Sequence, residues 1–152
     1  MENCVHHHNC IEELREDHNK ILQSLDNLEN VIKEQIINQE QIREFLEFTA
    51  NFAEPHHHKE ENVLFPKLEE KGIPNEGGPI GMMLFEHTMK RNYIKELKQA
   101  VQNNNDAGII ENSRAVISLM RDHIWKENNI LYPCAEDVLN EEDLKNLGEQ
   151  CS

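Results

Sequence analysis

Basic side chains are scarce in this chain, 15 Lys and Arg against 29 Asp and Glu, which gives a formal net charge of -14. A polyanion would be repelled by such a surface, and the basic residues do not cluster, so no nucleic acid is expected as a partner. Long hydrophobic runs are missing too. No stretch approaches the roughly 18 apolar residues of a membrane span, and the opening MENCVHHHNC lacks the apolar core of a signal peptide. The expectation is a protein with no membrane partner, in the cytoplasm. The four cysteines, Cys4, Cys10, Cys134 and Cys151, show neither C-x-x-C nor a zinc-finger spacing, and reduced thiols are expected. His6, His7 and His8, between Cys4 and Cys10, read as an adventitious cluster and not as a site.

Glycine and proline are also few, six and five, and mostly mark the breaks. At 152 residues the chain suits one domain, residues 1–152, with a core bundle over about 11–133. A first helix is expected over about 11–33, its stripe Ile11, Leu14, Ile21, Leu25, Leu28 and Ile32 interrupted only by His18. A second, over about 39–71, turns Ile42, Phe45, Thr49 and Phe52 inward, then His56, Glu60 and Val63, with a kink at Pro55. The loop from Gly72 to Pro79 ends it, and Pro79 suits the first turn of a third helix over about 80–102. That helix carries Ile80, Met83, Leu84, His87, Ile94, Leu97 and Val101, with Lys90 and Arg91 expected to snorkel across a gap in the stripe. After the loop from Asn103 to Gly108 a fourth helix carries Val116, Met120, His123, Glu127 and Ile130, and a weak helical segment follows over 136–150. Short loops between long amphipathic helices make antiparallel neighbours. The expected fold is all-α, an up-down-up-down four-helix bundle with a short C-terminal helical segment.

Two stretches repeat each other without a gap: HHHKEENVLFP from His56 and HIWKENNILYP from His123. Each sets a histidine and a glutamate one helical turn apart, a metal-ligand spacing. The alignment selects Glu60 over Glu61, because Glu61 falls opposite Asn128. One inward histidine on a helix is usually a satisfied core residue. Four helices that each supply one, two of them with a glutamate as well, bury carboxylates whose desolvation would cost several kcal/mol without a cation. His57 shares a sector with His56 and Glu60, so Glu60 can bridge two ions, each with its own histidine. His58, Glu61 and Glu86 are read as surface residues, Glu61 remaining the alternative to His57. Imidazole and carboxylate without thiolate suit iron or manganese. Two six-coordinate ions offer twelve positions. His18, His56, His57, His87 and His123 fill five, Glu60 and Glu127 as bridges fill four, and an oxo or hydroxo bridge fills two. One position stays open for a small ligand.

His18, HHHKEENVLFP, GGPIGMMLFEHTMKR and His123-x-x-x-Glu127-x-x-x-x-x-Pro133 together resemble the hemerythrin-like (HHE cation-binding) domains, over nearly the whole chain, from His18 through Pro133. The resemblance implies a four-helix bundle holding two non-haem iron ions, and it maps the family's ligands onto His18, His56, Glu60, His87, His123 and Glu127. Oxygen-carrying hemerythrins place a second histidine four residues along the third helix, where this chain has Arg91, and an aspartate five residues after the last histidine, where it has Glu127 at four. The likeness is therefore to the bacterial-type proteins, with His57 the candidate for the missing imidazole. Ferritin-like proteins need two Glu-x-x-His motifs and only Glu54-x-x-His57 is present; H-E-x-x-H is absent. The expected ligand is dioxygen, nitric oxide or peroxide, bound for sensing, scavenging or storage. The alternative is an enzyme that disproportionates hydrogen peroxide or reduces nitric oxide, with Tyr93, Tyr132, Lys90 and Arg91 as candidate proton donors. A weaker reading is iron storage or repair of iron centres.

Overall fold

A computed structural model describes residues 9–151, and Cys4 and His6 to His8 lie outside them. Among the described residues there are helices and no strand. Helix α1 is Cys10–Ile32, α2 covers residues 39–70, α3 is Pro79–Gln102, α4 covers residues 106–138 and α5 is Glu141–Cys151. Local chemistry sets the ends. The Asn9 side chain caps α1 by accepting from the Ile11 and Glu12 amides, and Asn38 and Asn105 cap α2 and α4 in the same way. Gly72 ends α2 at a positive φ of 97°. Gly81, in the first turn of α3, leaves room for the Asn75 carbonyl, which would lie 2.5 Å from a Cβ there.

Each long helix packs against the next, and α4 closes the ring on α1, as an up-down-up-down bundle requires. The expected stripe on α1 is buried throughout. Two apolar clusters result. One runs from Ile21 to Ile32 on α1 and includes Phe45, Ile94, Leu97 and Met120; the other holds Ile11, Leu14, Leu64, Ile80 and Leu131. On α1, α2 and α3 the step from one cluster to the other falls at a histidine, and on α4 it falls between Ile124 and Leu131, at Glu127.

Helices α2 and α4 depart from straight rods. Wide turns occupy Thr49–Ala53, Glu60–Leu64 and Glu127–Leu131, and in each the closing amide bonds five residues back: Glu54 to Thr49, Phe65 to Glu60, Tyr132 to Glu127. A proline follows every closing residue, Pro55, Pro66 and Pro133. Proline lacks an amide and its ring clashes with the carbonyl four back, and the wide turn moves that carbonyl aside. The extra residue shifts the inward face by one. Ala53, Leu64 and Leu131 are buried where a straight helix would bury Phe52, Val63 and Ile130; Phe52 and Val63 are only partly buried, and Ile130 is half exposed. Pro55 therefore marks a wide turn and not a simple kink.

Two other expectations are corrected. Cys10 and Cys151 form a disulfide, with Cα atoms 5.9 Å apart, while Cys134 is free. The two halves are 141 residues apart in sequence and meet because α5 folds back beside the start of α1. Lys71 to Asp143, 2.9 Å, also holds α5 to the bundle. The second correction is Lys90, which does not snorkel: it is 2% exposed and its ammonium finds no hydrogen-bond partner among the described residues. Burial pulls its pKa down from 10.5 to about 8, against the opposing charge of Glu54. Lys90→Met is expected to stabilise the metal-free chain by roughly 2–3 kcal/mol at neutral pH. Between pH 8 and 10.5 the unfolded chain binds the extra proton, so wild-type stability rises with pH there and the gain from the substitution disappears. Denaturant midpoints across that range check this; a variant no more stable than wild type at neutral pH contradicts it.

Candidate metal centre

Between the two apolar clusters lies a layer of buried polar side chains, His18 from α1, His56, His57 and Glu60 from α2, His87 from α3, and His123 and Glu127 from α4. They form two groups, each with ligand atoms within 4.8 Å of one another: His57, Glu60, His87 and His123 in one, His18, His56, Glu60 and Glu127 in the other. Glu60 belongs to both. Its Oε1 lies 3.3 Å from His87 Nε2 in the first group and 3.7 Å from His56 Nε2 in the second. Glu127 also spans the layer, Oε1 at 2.9 Å from His18 Nε2 and Oε2 at 3.3 Å from His123 Nε2. Both glutamates open a wide turn, so the same distortion that accommodates Pro66 and Pro133 sets the depth of the two carboxylates.

Four of the histidines are held from behind. His18 Nδ1 donates to Asn128 Oδ1 (2.7 Å), His56 Nδ1 to Asp17 Oδ2 (3.0 Å), His87 Nδ1 to Glu61 Oε2 (2.8 Å) and His123 Nδ1 to Glu86 Oε1 (2.9 Å). These oxygens are acceptors, so Nδ1 carries a hydrogen and Nε2 faces inward, where giving up its own proton would free a lone pair for a metal. An oriented imidazole of this kind is the usual arrangement at a metal. Glu61 is itself gripped by Arg91, whose two terminal nitrogens reach its two oxygens at 3.0 Å while Nε donates to Glu54 at 2.7 Å. Burial raises the Glu61 pKa, but the bonds from His87 and Arg91 outweigh it and hold the carboxyl at about 2. Glu86 is fixed by Lys126 at 2.6 Å; burial works against ionisation there too, and the bonds from His123 and Lys126 outweigh it and hold the carboxyl below its usual range.

The interior side of the layer is unsatisfied. The Nε2 atoms of His56, His87 and His123, both ring nitrogens of His57, Glu60 Oε1 and Glu127 Oε2 are buried without a hydrogen-bond partner among the described residues. A core of paired His-Glu hydrogen bonds would leave no such set, whereas a cation would satisfy all of it at once. Burial and the neighbouring Glu127 push Glu60 up to about 7, as expected of two carboxylates sharing a site without a positive charge between them. Burial, together with His87, Lys90 and the other histidines, holds His57 well below 6.5, neutral and able to donate a lone pair. The residues present fit a metal.

The structure thus gathers all seven residues singled out in the sequence. It corrects the placement of Glu86, which is buried and not on the surface, and of Glu61, whose part-buried carboxylate faces His87. His58 is exposed, as expected. The sequence reading misses Asp17, Asn128, Glu61 and Glu86 as histidine partners. A signal exists for all four: Asp17 and Glu86 immediately precede His18 and His87, and Glu61 and Asn128 immediately follow Glu60 and Glu127, so each adjoins an inward residue.

Comparison with known proteins agrees with this geometry. No curated protein matches the chain. The profile of the hemerythrin HHE cation-binding domain matches residues 9–135. That span takes in every residue of the His/Glu layer and most of the bundle, and the chain belongs to the hemerythrin HHE cation-binding family.

Proposed function

We propose that the layer holds two iron ions, one among His57, His87 and His123, the other between His18 and His56, with Glu60 and Glu127 bridging them. The observation that carries this reading is the set of buried, unpartnered nitrogen and oxygen atoms that converge there from α2, α3 and α4. Three imidazoles serve one ion and two serve the other, so the His18/His56 half has room for an additional ligand. Bound iron would supply reversible redox chemistry and a position for a small molecule. The chain's own residues do the rest. The four Nδ1 bonds fix the imidazoles before metal arrives, and burial of the layer favours ligands of two or three atoms over larger ones.

The function we assign is binding of dioxygen, nitric oxide or peroxide, for sensing, scavenging or storage. A specific observation also favours the enzyme alternative, peroxide disproportionation or nitric oxide reduction. Of the four candidate proton donors, Tyr132 alone bonds a layer residue directly, its hydroxyl donating to Glu60 Oε2 at 2.7 Å. Arg91 is engaged by Glu54 and Glu61. Anaerobic reconstitution with ferrous iron, then exposure to oxygen, to nitric oxide and to peroxide, separates the two. A stable oxygen or nitric oxide adduct with little gas release from peroxide supports binding, and rapid oxygen release from peroxide supports the enzyme. A loaded centre inert to all three ligands contradicts both.

A further inference from the structure

Tyr132 is fully buried and stands at the His18 end of the layer. Its ring stacks on the His18 imidazole, 9° from parallel with centroids 5.4 Å apart. Its hydroxyl lies 2.7 Å from Glu60 Oε2 and 3.4 Å from His18 Nε2. It is the residue whose amide closes the wide turn begun by Glu127, so the backbone that places one carboxylate also places the phenol. Among the described residues, the other polar groups that contact the layer serve as partners of a histidine Nδ1, on the outer side of the ring. Tyr132 alone contacts it on the inner side, in the half with two imidazoles instead of three.

We infer that the Tyr132 hydroxyl donates a hydrogen bond to the small anionic or oxygen-containing ligand that occupies the His18/His56 half of the centre. The inference rests on the reading of the centre as a two-iron site and names a residue that recognises what binds there. The phenol's one hydrogen, now given to Glu60, is its only donor. A ligand that takes up negative charge on binding is a better acceptor than a carboxylate already shared by two cations, so the bond transfers without moving the ring. A ligand with no acceptor atom gains nothing from Tyr132. The residue is thus expected to set which small molecules are held, in addition to how tightly.

The test uses the full chain loaded with ferric iron and titrated with azide, comparing wild type with Tyr132→Phe, which keeps the stack on His18. Both proteins are expected to hold two irons, with azide about tenfold weaker in the variant. In wild type the stretching frequency of bound azide should shift in D2O, and in the variant it should not. Equal affinity within about twofold, or no D2O shift in wild type, overturns the inference; the second readout needs no variant, so a misfolded variant leaves it decidable. A phenolate-to-iron absorption band in wild type that vanishes in the variant also overturns it, because Tyr132 would then be a ligand. Fewer than two irons in wild type, or two irons with no azide binding, instead brings down the two-iron, open-position reading on which the inference stands.

Discussion

Glu60→Gln is expected to strip the centre of both ions together, lowering iron from about two per chain to well below one. Glu60 is the one side chain common to both groups of ligand atoms, and it is completely buried. Glutamine keeps the shape and can still meet the Tyr132 hydroxyl, so the packing of the layer is preserved. What disappears is the negative charge that two buried cations would share. Loss of one partner from a buried charged arrangement costs about 3–5 kcal/mol, or a hundredfold and more in affinity. The metal-free variant should be at least as stable as metal-free wild type, because burial and Glu127 already make the ionised form of Glu60 unfavourable, with a pKa raised to about 7. Iron content by elemental analysis and a denaturant melt of the metal-free proteins check both halves. A variant that retains one full iron would mean that Glu60 serves a single ion.

His57→Ala is expected to lower iron to about one ion per chain, whereas His58→Ala should leave the content unchanged. The two residues are adjacent, and the helix separates them: His57 is 0% exposed with both ring nitrogens unpartnered, while His58 is exposed and faces Glu54 at 3.8 Å. His57 stacks on His87 at 4.0 Å between centroids and meets His123 edge-on at 5.9 Å, so its removal opens the three-histidine half and leaves the His18/His56 half intact. Unlike the other four histidines it has no acceptor behind Nδ1, which makes it the least constrained imidazole of the set. Equal iron loss in the two variants would contradict this assignment. The departure at Arg91 has its explanation in the same region. The place held by a histidine in the oxygen carriers is taken by an arginine that grips Glu61, and Glu61 in turn holds His87. In the proposed centre the third imidazole comes from α2, as His57.

Much of this is legible from spacing. His18, His87 and His123 each interrupt or extend an apolar stripe of helical period, and such stripes are set by burial, which periodicity reports directly. The gap-free alignment of the two His-x-x-x-Glu copies identifies Glu60 and Glu127, because it carries the same local geometry twice. Less legible are the wide turns. A straight helix predicts Val63 and Ile130 inward, and only the inserted residue before Pro66 and Pro133 puts Leu64 and Leu131 there. The repeated proline is visible in the sequence, but it implies a kink as readily as a one-residue shift. Charged residues mislead for a different reason. Glu86 and Lys90 are hydrophilic, which argues for the surface, yet Glu86 is buried because it has His123 and Lys126 as partners, information that belongs to another helix. The Cys10–Cys151 bond is hidden for the same reason: its halves lie toward opposite ends of the chain and only the return of α5 joins them.

In the proposed centre these buried side chains hold two metal ions bridged by Glu60 and Glu127. The most direct test is anomalous diffraction at the iron edge from crystals of the protein loaded anaerobically with ferrous iron. The expected result is two peaks of comparable height in the His/Glu layer, about 3.5–4 Å apart, one among His57, His87 and His123 and one beside His18 and His56. A single peak within the layer, or two peaks with either glutamate bound to only one of them, would contradict it.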